Sequence, residues 1–165
     1  MTNGEAVCVL WSKHGVKGHV KFKETKRGLR ININVVGLKP GPHGFHIHRS
    51  GNLLNGCTSV CDHFNPTGSV HGGRTGRKRH LGDLGNIVAN NLGEVVNRVI
   101  YDKYLRLFGK YGIVGRSIVI HAYPDDLGKG GLDDKGHVIN EKIRKESLLT
   151  GNAGKRLACG VIGIS

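Results

Sequence analysis

Most of the chemistry this chain could do rests on its histidines. Six of the ten, His46, His48, His63, His71, His80 and His121, fall with Asp83 into one spaced series. Neutral imidazole is the commonest protein metal ligand. It suits copper and zinc, whereas calcium and magnesium prefer oxygen. His46 and His48 stand at i and i+2 in GFHIH, so on a strand both rings leave the same face. Two imidazoles on a rigid strand make half of a four-coordinate site. The next ligands come at gaps of 15, 8, 9 and 3 residues through a Gly-rich stretch, and the last closes SIVIH. Seven ligands fall one short of two four-coordinate metals, so one side chain must serve both. Spacing alone does not say which.

A site of this kind needs stiff elements behind it, and the chain alternates with period two along most of its length. In 28–37, Leu29, Ile31, Ile33 and Val35 point one way while Arg30, Asn32 and Asn34 point the other. That is a half-buried strand with one solvated face. Similar runs at 6–11, 16–23, 44–48, 86–89, 95–101, 113–121 and 157–164 bring the expected strands to eight. Gly, Pro and Asn signals separate them. The fold class expected is all-β, an eight-stranded antiparallel sandwich or flattened barrel. Residues 1–165 are read as one domain, by length and for want of any linker or repeat. Two long stretches, 49–80 and 122–156, lack strands, and loops of that length in a compact domain are usually functional. Within the second, 138–149 can hold one or two helical turns.

Composition narrows the class further. Glycine is abundant at 27 residues without a Gly-X-Y period, which excludes collagen and fits many turns. No run of about 20 apolar residues and no charged-then-apolar leader is present, so a cytoplasmic protein without signal peptide or membrane span is expected. The net charge is +13. It suits a small anionic substrate or a nucleic acid. The one basic cluster, Arg74, Arg77, Lys78 and Arg79, contains no aromatic residue, and no helix-turn-helix or RNA-recognition signature accompanies it. No specific nucleic-acid partner is therefore expected. Cys8, Cys57, Cys61 and Cys159 permit several pairings. Cys8, inside the apolar alternation of the first strand, reads as an inert core thiol.

Taken in order, GFHIH, GCTS, HFNP, HGG, RHLGDLGN, GRSIVIH, DDLGKGG and TGNAGKRLACGVIGI resemble the Cu/Zn superoxide dismutase family across nearly the whole chain. The resemblance implies a Greek-key β-sandwich. It implies one copper per chain on His46, His48, His63 and His121, and one zinc on His63, His71, His80 and Asp83. His63 is then the shared ligand. It further implies an oxidoreductase that converts two superoxide anions and two protons to dioxygen and hydrogen peroxide by Cu(II)/Cu(I) cycling, with His63 carrying a proton. Arg156 matches the family's anion-guiding arginine, and Thr150 a threonine at the channel constriction. Asp125 matches a carboxylate joining a copper-binding and a zinc-binding histidine, His46 and His71. Cys57 and Cys159 match an intrachain disulfide, which leaves Cys61 as an extra, free thiol. His43 stands at a position of structural hydrogen bonding, and His14, His19 and His137 carry no motif. A homodimer through Gly51, Ile113 and the 161–164 tail is implied, with a copper-loading chaperone as a possible partner.

The chain also departs from that pattern. Arg49 follows the first ligand pair where an acidic residue is frequent, and the segment between Gly131 and TGNAG is long. The basic charge is unusual among cytosolic members. The competing reading is a catalytically silent copper- and zinc-binding homologue that buffers metal or binds a partner.

Overall fold

The computed structural model describes residues 4–165. Eight antiparallel strands run β1 Glu5–Leu10, β2 Lys17–Thr25, β3 Gly28–Val36, β4 Gly41–His48, β5 Asp83–Ala89, β6 Val95–Asp102, β7 Ser117–His121 and β8 Arg156–Ile164. They form one sheet in the order β5-β4-β7-β8-β1-β2-β3-β6. Its two end strands, β5 and β6, approach each other, so the sheet curls into a nearly closed barrel. The chain crosses between the two sides after β3, β5 and β6, which is the Greek-key arrangement.

Alternation explains the core. Leu29, Ile31, Ile33 and Val35 are buried on β3 with Phe22 and Val20 of β2 and Ile118 and Ile120 of β7. Each such side chain contributes about 1.5–3 kcal/mol when removed from water. β4 is different, because all of Gly44–His48 is buried. Phe45 and Ile47 face the core, while His46 and His48 on the other face lie beneath the long loops.

Strand ends differ from the sequence expectation in ways that matter for the site. β5 begins at Asp83 rather than 86, and β8 begins at Arg156 rather than 157. Two site residues are therefore fixed at strand termini. β7 starts at Ser117 rather than 113, because Arg116 N–H donates to Ile113 O in a turn. Ile113 itself is fully buried in the core. The first long loop holds a short 3-10 turn, Gly56–Val60. The second holds α1, Glu141–Thr150, a ten-residue helix that is longer than the one or two turns expected. Asn140 caps its N-terminus by accepting from Ile143 N–H, and Gly151, left-handed at φ 75°, ends it.

Candidate metal centre

Four elements converge on the histidines. β4 presents His46 and His48 two residues apart, and β7 ends with His121. In the sheet register Asp83, the first residue of β5, stands opposite His46. The first long loop folds back so that His63 pairs with His48 in an isolated antiparallel bridge. Phe64 N–H donates to Ile47 O at 2.8 Å and Gly82 N–H to Phe64 O at 2.9 Å. All six histidines and Asp83 are buried.

Hydrogen bonds decide which nitrogen of each ring is free. His46 donates through Nε2 to Asp125 Oδ2 at 2.7 Å, and His71 through Nε2 to Asp125 Oδ1 at 2.7 Å. His48 donates through Nδ1 to Cys61 O at 2.8 Å, and His121 through Nδ1 to Gly154 O at 3.0 Å. A neutral imidazole that donates from one nitrogen keeps a lone pair on the other. Those other atoms, His46 Nδ1, His48 Nε2, His71 Nδ1 and His121 Nε2, are buried without a hydrogen-bond partner. Buried polar atoms are normally satisfied. Four orphans aimed into one site fit cations.

The donor atoms gather into two groups. Ligand atoms of His46, His48, His63 and His121 lie within 4.8 Å of one another. On the other side, Asp83 Oδ1 is 2.9 Å from His63 Nδ1, 3.0 Å from His71 Nδ1 and 3.2 Å from His80 Nδ1. His63 and His80 Nδ1 atoms are 3.3 Å apart. A tetrahedron with bonds of about 2.0–2.1 Å has edges of about 3.3 Å, so these separations suit zinc. The remaining carboxylate oxygen, Asp83 Oδ2, is held by the N–H groups of His80 at 2.8 Å and Gly72 at 3.0 Å. His63 belongs to both groups, with Nδ1 turned to Asp83.

Titration behaviour follows from burial and these contacts. Burial holds His46 and His48 well below the ordinary imidazole value and brings His121 down to about 4. Burial lowers His63 too, against the opposing pull of Asp83. At His71 burial also opposes the charge, but Asp125 and Asp83 overcome it and push the ring up to about 9. Burial raises Asp83, yet hydrogen bonds from three histidines carry it well below the usual carboxylate range. His46, His48, His63 and His121 are thereby kept neutral beside a charged Asp83, the states metal ligands require, whereas His71 must give up a proton to bind a metal.

An open cleft of about 960 Å³ leads to His48, His63 and His121. Arg156, half-buried on the first residue of β8, lines it and donates through Nη1 to Cys57 O at 2.8 Å. Cys57 is joined to Cys159, so that carbonyl is tethered to the same strand. Thr150 lines the rim, its Oγ1 donating to Glu146 Oε1 at 2.6 Å. Sequence reading gave no place in the cleft to three residues here. Arg116 stacks over Phe64 at 3.7 Å and donates to Arg49 O at 2.9 Å. Both arginines line the cleft, and so does Glu146. Nothing in their local sequence marks them, because loop packing alone brings them there. His43 sits between His121 O and Lys39 O, each at 2.8 Å, outside both groups. His137 is exposed beside Asp133, and His14 and His19 lie outside the site.

Relatives agree with this geometry. A family model described as copper/zinc superoxide dismutase (SODC) matches residues 16–162. The chain is 49% identical over 159 residues to "Superoxide dismutase [Cu-Zn]" of Paramecium bursaria Chlorella virus 1, covering 96% of this chain and 77% of that protein. It is 48% identical over 163 residues to "Extracellular superoxide dismutase [Cu-Zn]" of Onchocerca volvulus, covering 97% and 76%. The protein of that name from Brugia pahangi is 47% identical over 161 residues, covering 97% and 76%. With a match that spans nearly the whole chain, and with the histidine cluster intact, the chain belongs to the copper/zinc superoxide dismutase family.

Proposed function

We propose that this protein is a superoxide dismutase in which His46, His48, His63 and His121 hold copper, while His63, His71, His80 and Asp83 hold zinc. The unpartnered nitrogens of His46, His48 and His121, beside the Nδ1 atoms of His63, His71 and His80 gathered on Asp83 Oδ1, carry that reading. When bound, copper supplies one-electron chemistry between Cu(II) and Cu(I), and zinc supplies a fixed charge that does not change oxidation state. The net reaction takes two superoxide anions and two protons to dioxygen and hydrogen peroxide.

The chain's own groups supply the rest. His63 directs Nδ1 toward Asp83, so Nε2 is the atom left on the copper side, and there it carries one of the two protons that peroxide needs. Asp125 holds His46 and His71 with Nε2 protonated, which aims Nδ1 of each inward. The Arg156 guanidinium keeps its charge despite burial, and from the cleft wall it draws and orients the incoming anion. Thr150 and Glu146 shape the rim. A silent, metal-buffering homologue would have no use for an oriented arginine beside the copper ligands, so the enzyme is preferred.

The same reading makes the protein a homodimer and places it in the cytoplasm, with copper delivered by a loading chaperone. Val9, Val161 and Ile164 are exposed apolar residues on neighbouring strands β1 and β8, and Gly51 packs against Val161 and Gly115. Ile113 supports this surface from the core. The part-exposed free thiol of Cys61 suits a reducing compartment, where burial would have to shield the Cys57–Cys159 disulfide from reductants. Among the described residues, no helix is long and apolar enough to cross a membrane.

Metal analysis and superoxide consumption measured on one preparation test the proposal. One copper and one zinc per chain with rapid turnover is expected, in particles with the mass of two chains. His121→Ala should lose copper and activity while it keeps zinc. Full metal loading without turnover would leave the silent homologue standing.

A further inference from the structure

The strongest unassigned feature is a basic surface outside the cleft, where the fold interleaves cations with exposed rings. Segment 103–112 follows β6 and contains Lys103, Arg106 and Lys110 with no acidic residue. It also carries Tyr104, Phe108 and Tyr111, which remain 59%, 39% and 38% exposed, so three of the chain's exposed rings fall within one short segment. Lys103 Nζ lies 4.8 Å from the Tyr104 ring centroid, and Lys110 Nζ lies 5.3 Å from that of Tyr111. In each pair the ammonium lies over one face of the ring, and the exposed remainder of the ring is what a base can meet.

The fold adds a second basic stretch to this segment. Arg74 donates through Nη1 to Tyr101 O at 2.7 Å, which seats the 74–79 run against the end of β6. Arg79 is buried and anchors the junction by pairing with Asp102 at 2.6 Å and donating to Arg74 O. Asp102 is thus consumed, and among the described residues Arg74, Arg77, Lys78, Lys103, Arg106 and Lys110 have no ion-pair partner. Arg30 stands beside Tyr101 in the β3–β6 register and carries the basic surface onto the sheet. The 74–79 run has no ring of its own; packing gives it Tyr101, which is 46% exposed.

We propose that this surface binds single-stranded nucleic acid without sequence preference, phosphates lying along the cations and bases stacking on Tyr104 and Tyr111. Clustered unpaired cations supply the salt-dependent part of such binding. Exposed rings beside cations supply the stacking that tolerates any base. A sulfated polysaccharide would use the cations alone, and a bilayer would favour a protruding apolar wedge over tyrosines that end in hydroxyls.

Fluorescence anisotropy tests this, with the metal-loaded protein and a labelled oligo-deoxythymidylate of about 20 nucleotides. Binding is expected to weaken steeply between about 50 and 200 mM salt, and duplex DNA should bind less well. Lys103→Glu with Arg106→Glu and Lys110→Glu should abolish binding while superoxide consumption in physiological salt is kept, which shows that the variant is folded. Tyr104→Ala and Tyr111→Ala should each weaken oligonucleotide binding about fivefold or more. Their salt slope should stay that of the parent, and their affinity for heparin should not change. Three outcomes would overturn the proposal: no oligonucleotide binding, binding indifferent to both tyrosines, or binding confined to heparin or phosphatidylserine vesicles.

Discussion

Asp125 shows how much one side chain decides. Its two oxygens accept from His46 Nε2 and His71 Nε2, both at 2.7 Å, so a single carboxylate sets the tautomer of one ring in each donor group. Its own position is fixed by N–H donation to Asn86 Oδ1 at 2.7 Å and by Gly151, where an added Cβ would collide with Asp125 and His71. Asp125→Ala should leave the strands intact and lower metal affinity by about 10–100-fold, as loss of such outer carboxylates does. Competition with chelators, zinc and copper separately, measures this; unchanged affinity at both metals would remove Asp125 from the site. The histidine cluster was legible in the sequence because few folds use so many spaced histidines. Asp125 was legible only through the family resemblance. Arg116 and Glu146 were not legible at all, since their place at the cleft depends on how two distant loops pack.

Among elements, the strands were readable and the helix only as one or two turns within 138–149, for one physical reason. Strand alternation records a buried face directly, as in β3. α1 has no such face: Ser147 is its only buried residue, and Ile143 and Leu149 are exposed. Polar contacts seat it instead. Ser147 Oγ donates to Asp126 Oδ1 at 2.7 Å, Arg144 Nη1 to Gly128 O at 2.6 Å and Asn152 Nδ2 to Asp126 Oδ2 at 2.6 Å. Hydrophobic periodicity cannot report a helix held this way. The 3-10 turn of the first loop depends instead on a covalent tie. Cys57 and Cys159 are joined across a separation of 102 residues, within a small apolar cluster of Val60 and Val119. In the chain-entropy model the bond is worth about 4–5 kcal/mol. Cys57→Ser should therefore lower stability by about that amount, read as a fall in denaturation midpoint. The substitution also frees the Cys57 carbonyl that holds Arg156, so kcat/KM for superoxide should fall even where the variant is fully folded. A folded variant with unchanged kcat/KM would show that Arg156 does not depend on the tether.

At the scale of the whole molecule the net charge of +13 is the open quantity. The family is a known case of electrostatically steered association, and a positive field around a cleft raises the encounter rate with an anion. The cleft itself is mixed: Arg49, Arg116 and Arg156 line it, but so do Asp62 and Glu146. At physiological ionic strength the Debye length is about 8 Å, so only charges near the cleft histidines act strongly there. At low salt the basic surface on 74–79 and 103–112, outside the cleft, contributes as well. Two expectations follow from that difference in range. The value of kcat/KM should fall as ionic strength rises at constant pH, and a flat dependence would show that steering plays no part. Glu146→Gln removes a repelling charge at the rim, and it should raise kcat/KM roughly twofold in physiological salt. Lys103→Glu should act only when salt is low. Equal effects of the two substitutions in physiological salt would mean that net charge, rather than its placement beside the cleft, governs capture of the anion.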